Sequence, residues 1–381
     1  QTDELEIVSD GDIMVLASTA LGTDNDEVDG GNERGAVGGD QGGYRTSAET
    51  AIAAPSKNTN GANQTPRSEK SLAMSLNFAI NDSDAVAEIG QHVNITAANV
   101  GVLAEQTLPI VSTYDRWESF SDIAGKFNGI GGIQNNILTT FVNAGAAADK
   151  EAYGGSLNVV VNDMDTKAWI GDGAYINTTG TSSWTFSHDL SASSSSPGIL
   201  SDFEAFKDVT YEFALTGNID VQAYNLMESA HVAGNLGTLG VLPNGNGTNE
   251  AGKAVGVGIS FIQQTGSVVA GVGEASLISD GDINISSEID ERHFVITPSS
   301  GMGSGFGFNG ALAILNSETL VHASLSNAAY VVANSLEIVA DHQVGNWAAA
   351  GAVNWGDNKS VGLSFAINLT QGDTKAFIGD N

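Results

Sequence analysis

The chain contains no cysteine, and only 14 lysines and arginines stand against 45 aspartates and glutamates. The first absence removes disulfide frameworks, thiolate metal sites and cysteine nucleophiles. The second leaves a formal net charge of −31, which repels nucleic acid and anionic membrane and attracts divalent cations. Prolines number 6 and aromatics make up 7%, so a core has to be built from small aliphatic side chains. The apolar content of 41% suffices for one. No apolar run reaches the roughly 18 residues of a membrane-crossing helix, so no membrane insertion is expected. No signal-peptide pattern is visible. The 381 residues start at Gln1 rather than Met and stop inside a repeat, so both ends are expected to be cut from a longer chain.

What the chain does have is internal repetition. The run Asn77-Phe78-Ala79-Ile80-Asn81-Asp82-Ser83-Asp84, continued by Ala87, Ile89 and Gly90, returns without gaps 81 residues later (158 − 77) as Asn158 to Asp165, Ala168, Ile170 and Gly171. Asp165-Thr166-Lys167-Ala168-Trp169-Ile170-Gly171-Asp172 returns as Asp373-Thr374-Lys375-Ala376-Phe377-Ile378-Gly379-Asp380. Weaker copies start near Ile259 and Ala311. A second module opens on a turn and alternates apolar with polar: Asp10-Gly11-Asp12-Ile13, Thr216-Gly217-Asn218-Ile219, Asp280-Gly281-Asp282-Ile283 and Asn334-Ser335-Leu336. Period-two alternation marks half-buried strands, and the Gly-containing dipeptides mark sharp corners. The clean units near 259, 311 and 365 lie roughly fifty residues apart.

One such strand cannot bury its apolar face alone, whereas stacked units share a continuous core. The expected fold is therefore all-β, a parallel β-helix (solenoid) running through 1–381 as one continuous stretch. Asn81, Asn162, Gln264, Asn316 and Asn368 are expected to stack as an amide ladder, each side chain bonding the next. Three insertions are expected to interrupt the stack. Residues 22–70, rich in Gly, Asp, Asn, Ser and Thr, read as a long polar loop. Residues 114–150, with Trp117, Phe120, Ile123, Ala124 and Phe127 at helical spacing, read as a helical hairpin. Residues 200–213 read as a short helix.

The Asp-Thr-Lys-Ala-aromatic-Ile-Gly-Asp repeats and the Gly-Asp-Ile-x-Ile strands resemble those of giant filamentous-haemagglutinin and leukotoxin-type secreted adhesins of Gram-negative bacteria. The resemblance covers most of 71–381 and the first twenty residues, and departs at the 22–70 loop and in the uneven repeat lengths. It implies a right-handed coil, export through an outer-membrane route, and a structural or adhesive role at the cell surface or in an extracellular fibre. It carries over no catalytic residue. The partners it points to are neighbouring repeats or further copies of the chain, and host or cell-surface glycans.

Other chemistries are weighed against plainer readings. Asp24, Asp26 and Asp29 form a partial match to a Ca2+ loop, without the middle oxygen and the closing Glu; the plainer reading is solvated aspartates, with Ca2+ or Mg2+ acting by charge screening. Beyond that no cofactor is expected. Polysaccharide cleavage needs paired carboxylates or a basic residue at a set place, and no convergent acidic and basic cluster is evident, so the chain is not expected to be an enzyme. Gly305-Phe306-Gly307-Phe308-Asn309-Gly310 fits a dinucleotide fingerprint in letters only, because a strand rather than a helix is expected after it; a flexible turn is the expectation. The six histidines are scattered. Trp184 with Phe186, Trp347 with Trp355, and Tyr175 with Tyr330 could carry sugars, though aromatics stacked on their counterparts are the commoner outcome.

Overall fold

Alternation of period two becomes strand nearly wherever it occurs. In the computed structural model of the chain, the described residues are 5–20, 46–51, 69–108, 140–146, 148, 150–180, 184–192, 209–234, 248–356 and 359–379. They form an all-β structure of parallel sheets, with no helix among the described residues.

The strands fall into five levels. The first holds β1 (Leu5–Val8), β2 (Ile13–Ala20), β3 (Thr46–Ala51) and β4 (Lys70–Ile89); the second holds β5 (Val93–Ala97), β6 (Val100–Leu108), β7 (Thr140–Gly145) and β8 (Glu151–Ile170). The third holds β9 (Tyr175–Thr178), β10 (Phe186–Ala192), β11 (Val209–Leu215), β12 (Ile219–Gly234) and β13 (Thr248–Val272). The fourth holds β14 (Ser276–Ser279) and the long β15 (Asp282–Leu325), and the fifth β16 (Tyr330–Val332), β17 (Ser335–Val344), β18 (Trp347–Gly356) and β19 (Lys359–Ile378). The short strands pair in the order β1-β5-β9-β14-β16. The larger sheet repeats three parallel columns: β2-β6-β12-β15-β17, β3-β7-β12-β15-β18, and β4-β8-β13-β15-β19. Among the described residues only β10 and β11 pair antiparallel.

The repeat spacing becomes the pairing register. Asn81 and Asn162 are neighbours 81 residues apart, and Asp163 and Thr265 are neighbours 102 apart. Along β15 the spacing to the last level is a uniform 53, seen at Asp282↔Ser335 (335 − 282), Phe294↔Trp347 (347 − 294) and Leu325↔Ile378 (378 − 325), and it is 54 in the short-strand sheet, at Ser276↔Tyr330 (330 − 276). The level without insertions is thus the basic unit.

Beside the short-strand sheet the interior is packed with Ile89, Ile95, Ile170, Ile176, Leu277 and Ile283, all buried. Farther along β4 and β8 the interior narrows to Ala73, Ala146, Ala148 and Ala152. A Cβ on Gly258 would come within 3.0 Å of Thr297 Cγ2 and 3.2 Å of Ala233 O across this gap, so the facing sheets have room only for small side chains there. The large apolar residues of the same strands point outward: Phe78 is 64% and Ile80 80% exposed.

Several expectations are corrected. Within 22–70, residues 46–51 form β3, paired along β7; 22–45 and 52–68 lie outside the described residues. Within 114–150, residues 140–145 are strand rather than helix, because Thr140, Val142, Ala144, Ala146 and Ala148 alternate inward at period two and the strand pairs along two neighbours; residues 114–139 lie outside the described residues. Within 200–213, residues 209–213 belong to β11, and 200–208 lie outside. The cover on the flank is a β-hairpin: Trp184, Phe186 and Leu215 pack on Met14, Leu103 and Tyr224. The 305–310 glycine motif is not a turn but lies inside β15.

The corner before the second column carries a ladder of its own. Asn99 Nδ2 donates to Asp12 Oδ1 (2.7 Å), Asn218 Nδ2 donates to Asn99 Oδ1 (2.8 Å), and Asp282 N donates to Asn218 Oδ1 (3.1 Å). Gly281 makes room for it, since a Cβ there would sit 1.7 Å from Asn218 Oδ1. Gly281→Ala displaces that amide and is expected to cost about 2 kcal/mol in urea denaturation. Gly351→Ala, with nothing within 4 Å of its added carbon, is expected to stay within about 0.5 kcal/mol of the parent.

Candidate functional site

Burying a polar side chain is costly unless its hydrogen bonds are replaced, so a run of them through a core has a purpose. Alternation along β12 puts Ser229 and His231 on one face, and alternation along β15 does the same for Glu291 and His293. Parallel pairing then sets Ser229 beside His293 and His231 beside Thr140. All five are 0–1% exposed.

These groups join into one chain that crosses all five levels. Asn77 Nδ2 donates to Asn158 Oδ1 (2.8 Å), and Asn158 Nδ2 donates to Thr140 Oγ1 (2.6 Å). Thr140 Oγ1 lies 2.9 Å from His231 Nδ1, His231 Nε2 lies 2.9 Å from Ser229 Oγ, and Ser229 Oγ lies 2.6 Å from His293 Nδ1. His293 Nε2 then stands 3.3 Å from Glu291 Oε1. That carboxylate also accepts from Ser317 Oγ, from Thr319 Oγ1 (3.0 Å) and from Asn346 Nδ2 (2.7 Å), with His342 Nε2 3.7 Å away.

The electrostatics follow from this wiring. Burial pushes the Glu291 carboxyl up, but His293, His342 and Ser317 together outweigh it and hold the group well below the usual carboxylate range. Burial, with His293 adding to it, holds His231 well below the ordinary imidazole value. Separately, at the corner of β12, burial pushes Asp220 up to about 6, against backbone hydrogen bonds from Gly217 and Thr216 and a side-chain bond from Asn284.

Ser229, His293 and Glu291 are the residue types of a nucleophile, a base and an orienting acid. Here the serine hydroxyl is held between two imidazoles and none of the three reaches solvent. What the arrangement can do is lock neighbouring levels together and specify their register.

The sequence-predicted residues are divided by the structure. Asn81, Asn162 and Gln264 share one column, in which Asn81 Nδ2 donates to Asn162 Oδ1 at 2.7 Å. Gln264, 1% exposed, has no hydrogen-bond partner for its side-chain amide among the described residues. The next members of that column are Ser317 and Thr370, which corrects the placement of the last two amides. Asn316 lies one residue before Ser317 and therefore faces outward, because a one-residue step inverts a strand's faces. Asn368 lies two residues before Thr370 and donates instead to Asn346 O at 3.0 Å. Asp24, Asp26 and Asp29 lie outside the described residues. Among the described residues no group of three or more His, Asp or Glu is arranged to hold a metal ion. The recurrent Lys167 and Lys375 fall in one outward column; Lys167 stands 3.9 Å from Glu88 and 5.1 Å above the Trp169 ring, and Lys375 stands 2.9 Å from Asp373.

Reading the sequence one histidine at a time missed the polar chain. The signal was present as Ser229-x-His231 and Glu291-x-His293, two period-two polar pairs on otherwise apolar strands. Comparison of the chain with known protein families, with curated proteins and with solved structures finds no match.

Two predictions follow from the wiring. Glu291→Ala leaves two imidazoles and an amide facing a gap, and is expected to cost about 3–5 kcal/mol in urea denaturation at neutral pH. Because the folded protein lowers this carboxyl's pKa, its contribution is present above the unfolded value of 4.5 and is lost as the pH falls; the variant's deficit is therefore expected to shrink in acid. Asp220 has the opposite sign. Its raised folded value of about 6, against 3.8 unfolded, gives stability that is present below 3.8 and lost as the pH rises through 6. His231, lowered from 6.5, opposes it in the same window, so the readout is the difference between Asp220→Asn and the parent. That difference is expected to grow in favour of the variant by up to about 3 kcal/mol between pH 4 and 7; a flat difference would contradict the assignment.

Proposed function

We propose that the chain is a stretch of right-handed parallel β-helix from a structural or adhesive fibre of a bacterial cell surface. The observation that carries this reading is the order of travel. At each level the chain visits the same columns in the same sequence, and the insertion-free level returns to its start after 53 residues. A chain built this way extends by adding levels without changing its cross-section. Its strength lies in main-chain hydrogen bonds running along the stacking direction and in side chains that repeat from level to level.

The repeats' resemblance to those of secreted adhesins supports the surface location. So does the acidic exterior, which stays soluble and which divalent cations screen. The polar chain favours a structural role over catalysis, since its chemistry is spent inside the stack. A second reading, glycan binding on the same exterior, draws support from one outward column of the short-strand sheet. In it the exposed Tyr175 and Tyr330 flank Ser276, next to Asn94, which gives two ring faces and polar groups on one line.

Antibodies raised against the purified chain are expected to label intact producing cells. Label that appears only after permeabilisation would remove the surface role, and release of reducing ends from acidic polysaccharide by the purified chain would remove the non-catalytic one.

A further inference from the structure

Along β4, β8, β13, the last part of β15 and β19, alternate side chains point outward in aligned columns. The central column is Leu76–Leu157–Ile259–Leu312–Phe365. The two columns on either side of it are also apolar, apart from Gly155, Gly310, Gln263 and Asn316. None of these side chains belongs to a packed cluster among the described residues. Five strands about 4.8 Å apart and ten residues at about 3.3 Å give this face a footprint of roughly 800 Å². That is more than a monomer's surface ordinarily exposes in one apolar patch, and it matches the roughly 800 Å² per partner of a stable protein interface.

The borders say how a partner is oriented. On one side runs the column Lys70–Glu151–Lys253–Phe306–Lys359, where Glu151 is neutralised by Lys70 at 2.9 Å and Lys253 at 3.4 Å, leaving a basic edge. On the other side runs Asp82–Asp163–Thr265–Glu318–Gln371, an acidic edge. Each border lies six residues from the central column (76 − 70 and 82 − 76). A two-fold axis along the stacking direction reverses the strands and lays the basic edge of each copy over the acidic edge of the other. A two-fold along the strands would set like over like.

We propose that this face joins two copies of the chain, sheet against sheet, with their stacking directions parallel. The inference rests on the stacked-level reading above and adds lateral pairing to it. Flat sheet faces pack this way at about 10 Å, and among the described residues of these strands it is the large outward side chains that are able to fill such a layer.

The test is sedimentation velocity of the full chain from micromolar to hundreds of micromolar concentration. The parent is expected to dimerise, and Ile259→Lys/Phe261→Lys is expected to weaken the dimer at least about 100-fold with an unchanged circular dichroism spectrum. Lys70→Glu/Lys253→Glu, confined to exposed side chains, is expected to weaken it too, and adding Asp82→Lys/Asp163→Lys is expected to restore it. A zero-length carbodiimide is expected to join Lys70 or Lys253 of one copy to Asp82 or Asp163 of the other. A parent that stays monomeric throughout, or substitutions that leave the dimer intact, would overturn the interface. A dimer without those cross-links would overturn its orientation. X-ray scattering of the monomeric variant reads the stacked levels independently: a profile that fits them with no dimer removes this interface alone, and one that does not fit them removes the fold reading.

Discussion

In-register parallel pairing makes each side chain's nearest neighbour the side chain at the same position one level away, about 4.8 Å distant. Everything else in the structure answers to that constraint. Amides satisfy it directly, because each carries both donors and acceptors, as Asn81 over Asn162 and Asn99 over Asn218 do. Small aliphatics satisfy it by packing. Carboxylates cannot, because like charges are brought together. The acidic columns accordingly change character within a step or two. Asp163 is followed by Thr265, whose hydroxyl donates to it at 2.9 Å, and Asp165 by Ser267, which donates to it from both its backbone nitrogen and its hydroxyl. At the basic border the sign alternates, with Glu151 between Lys70 and Lys253. A net charge of −31 is tolerable in a stacked fold because it is broken up in this way.

The buried polar chain meets the same constraint with unlike partners. An imidazole lies over a threonine, a serine beside an imidazole, and a carboxylate under an amide and between hydroxyls. Such a set is less forgiving than an amide ladder. A slip of one residue turns every inward side chain outward and would strand Glu291 and His231 without partners, at a cost far above that of a misplaced alanine. The apolar interior of valines, isoleucines and alanines tolerates several registers almost equally well. The polar chain therefore supplies what that interior lacks, a penalty for misalignment that is felt at every level.

The parts of this architecture legible in the sequence are those set by repetition. The 81-residue correspondence from Asn77 to Ile89 became the pairing of β4 with β8 residue for residue, and the Asp-Gly-Asp-Ile module became the corner-and-strand of the second column. Legibility failed where the match was read from letters without a face. Asn316 and Asn368 sit in similar-looking runs, yet they are displaced by one and two positions from the ladder that a constant separation of 53 defines. It failed again where local spacing resembled a helix: residues 140–145 are held as a strand by neighbours far away in sequence, and residues 209–213 by the antiparallel strand β10. The polar chain was the hardest to see, because its members come from six strands and acquire meaning only once they are aligned.

The face that a strand buries is a separate question from whether it is a strand. Leu72 to Asn81 alternates large apolar with small residues, and the usual preference would turn Leu72, Met74, Leu76, Phe78 and Ile80 inward. The structure turns them outward, and the reason lies across the interior rather than in the strand. The facing strands bring Thr140, Val142, Ala144 and Ala233 to the same narrow gap, where Asn77, Asn158 and Thr140 link side chain to side chain. Inverting β4 alone would drive Phe78 into that gap and break the polar chain at its first link. Holding the small face inward keeps the links short and leaves a broad layer of aliphatic and aromatic side chains facing out at a hydrophobic cost proportional to its area. That cost is removed when a second such layer covers it, so the packing of the interior and the lateral association of the exterior are two consequences of one choice of face.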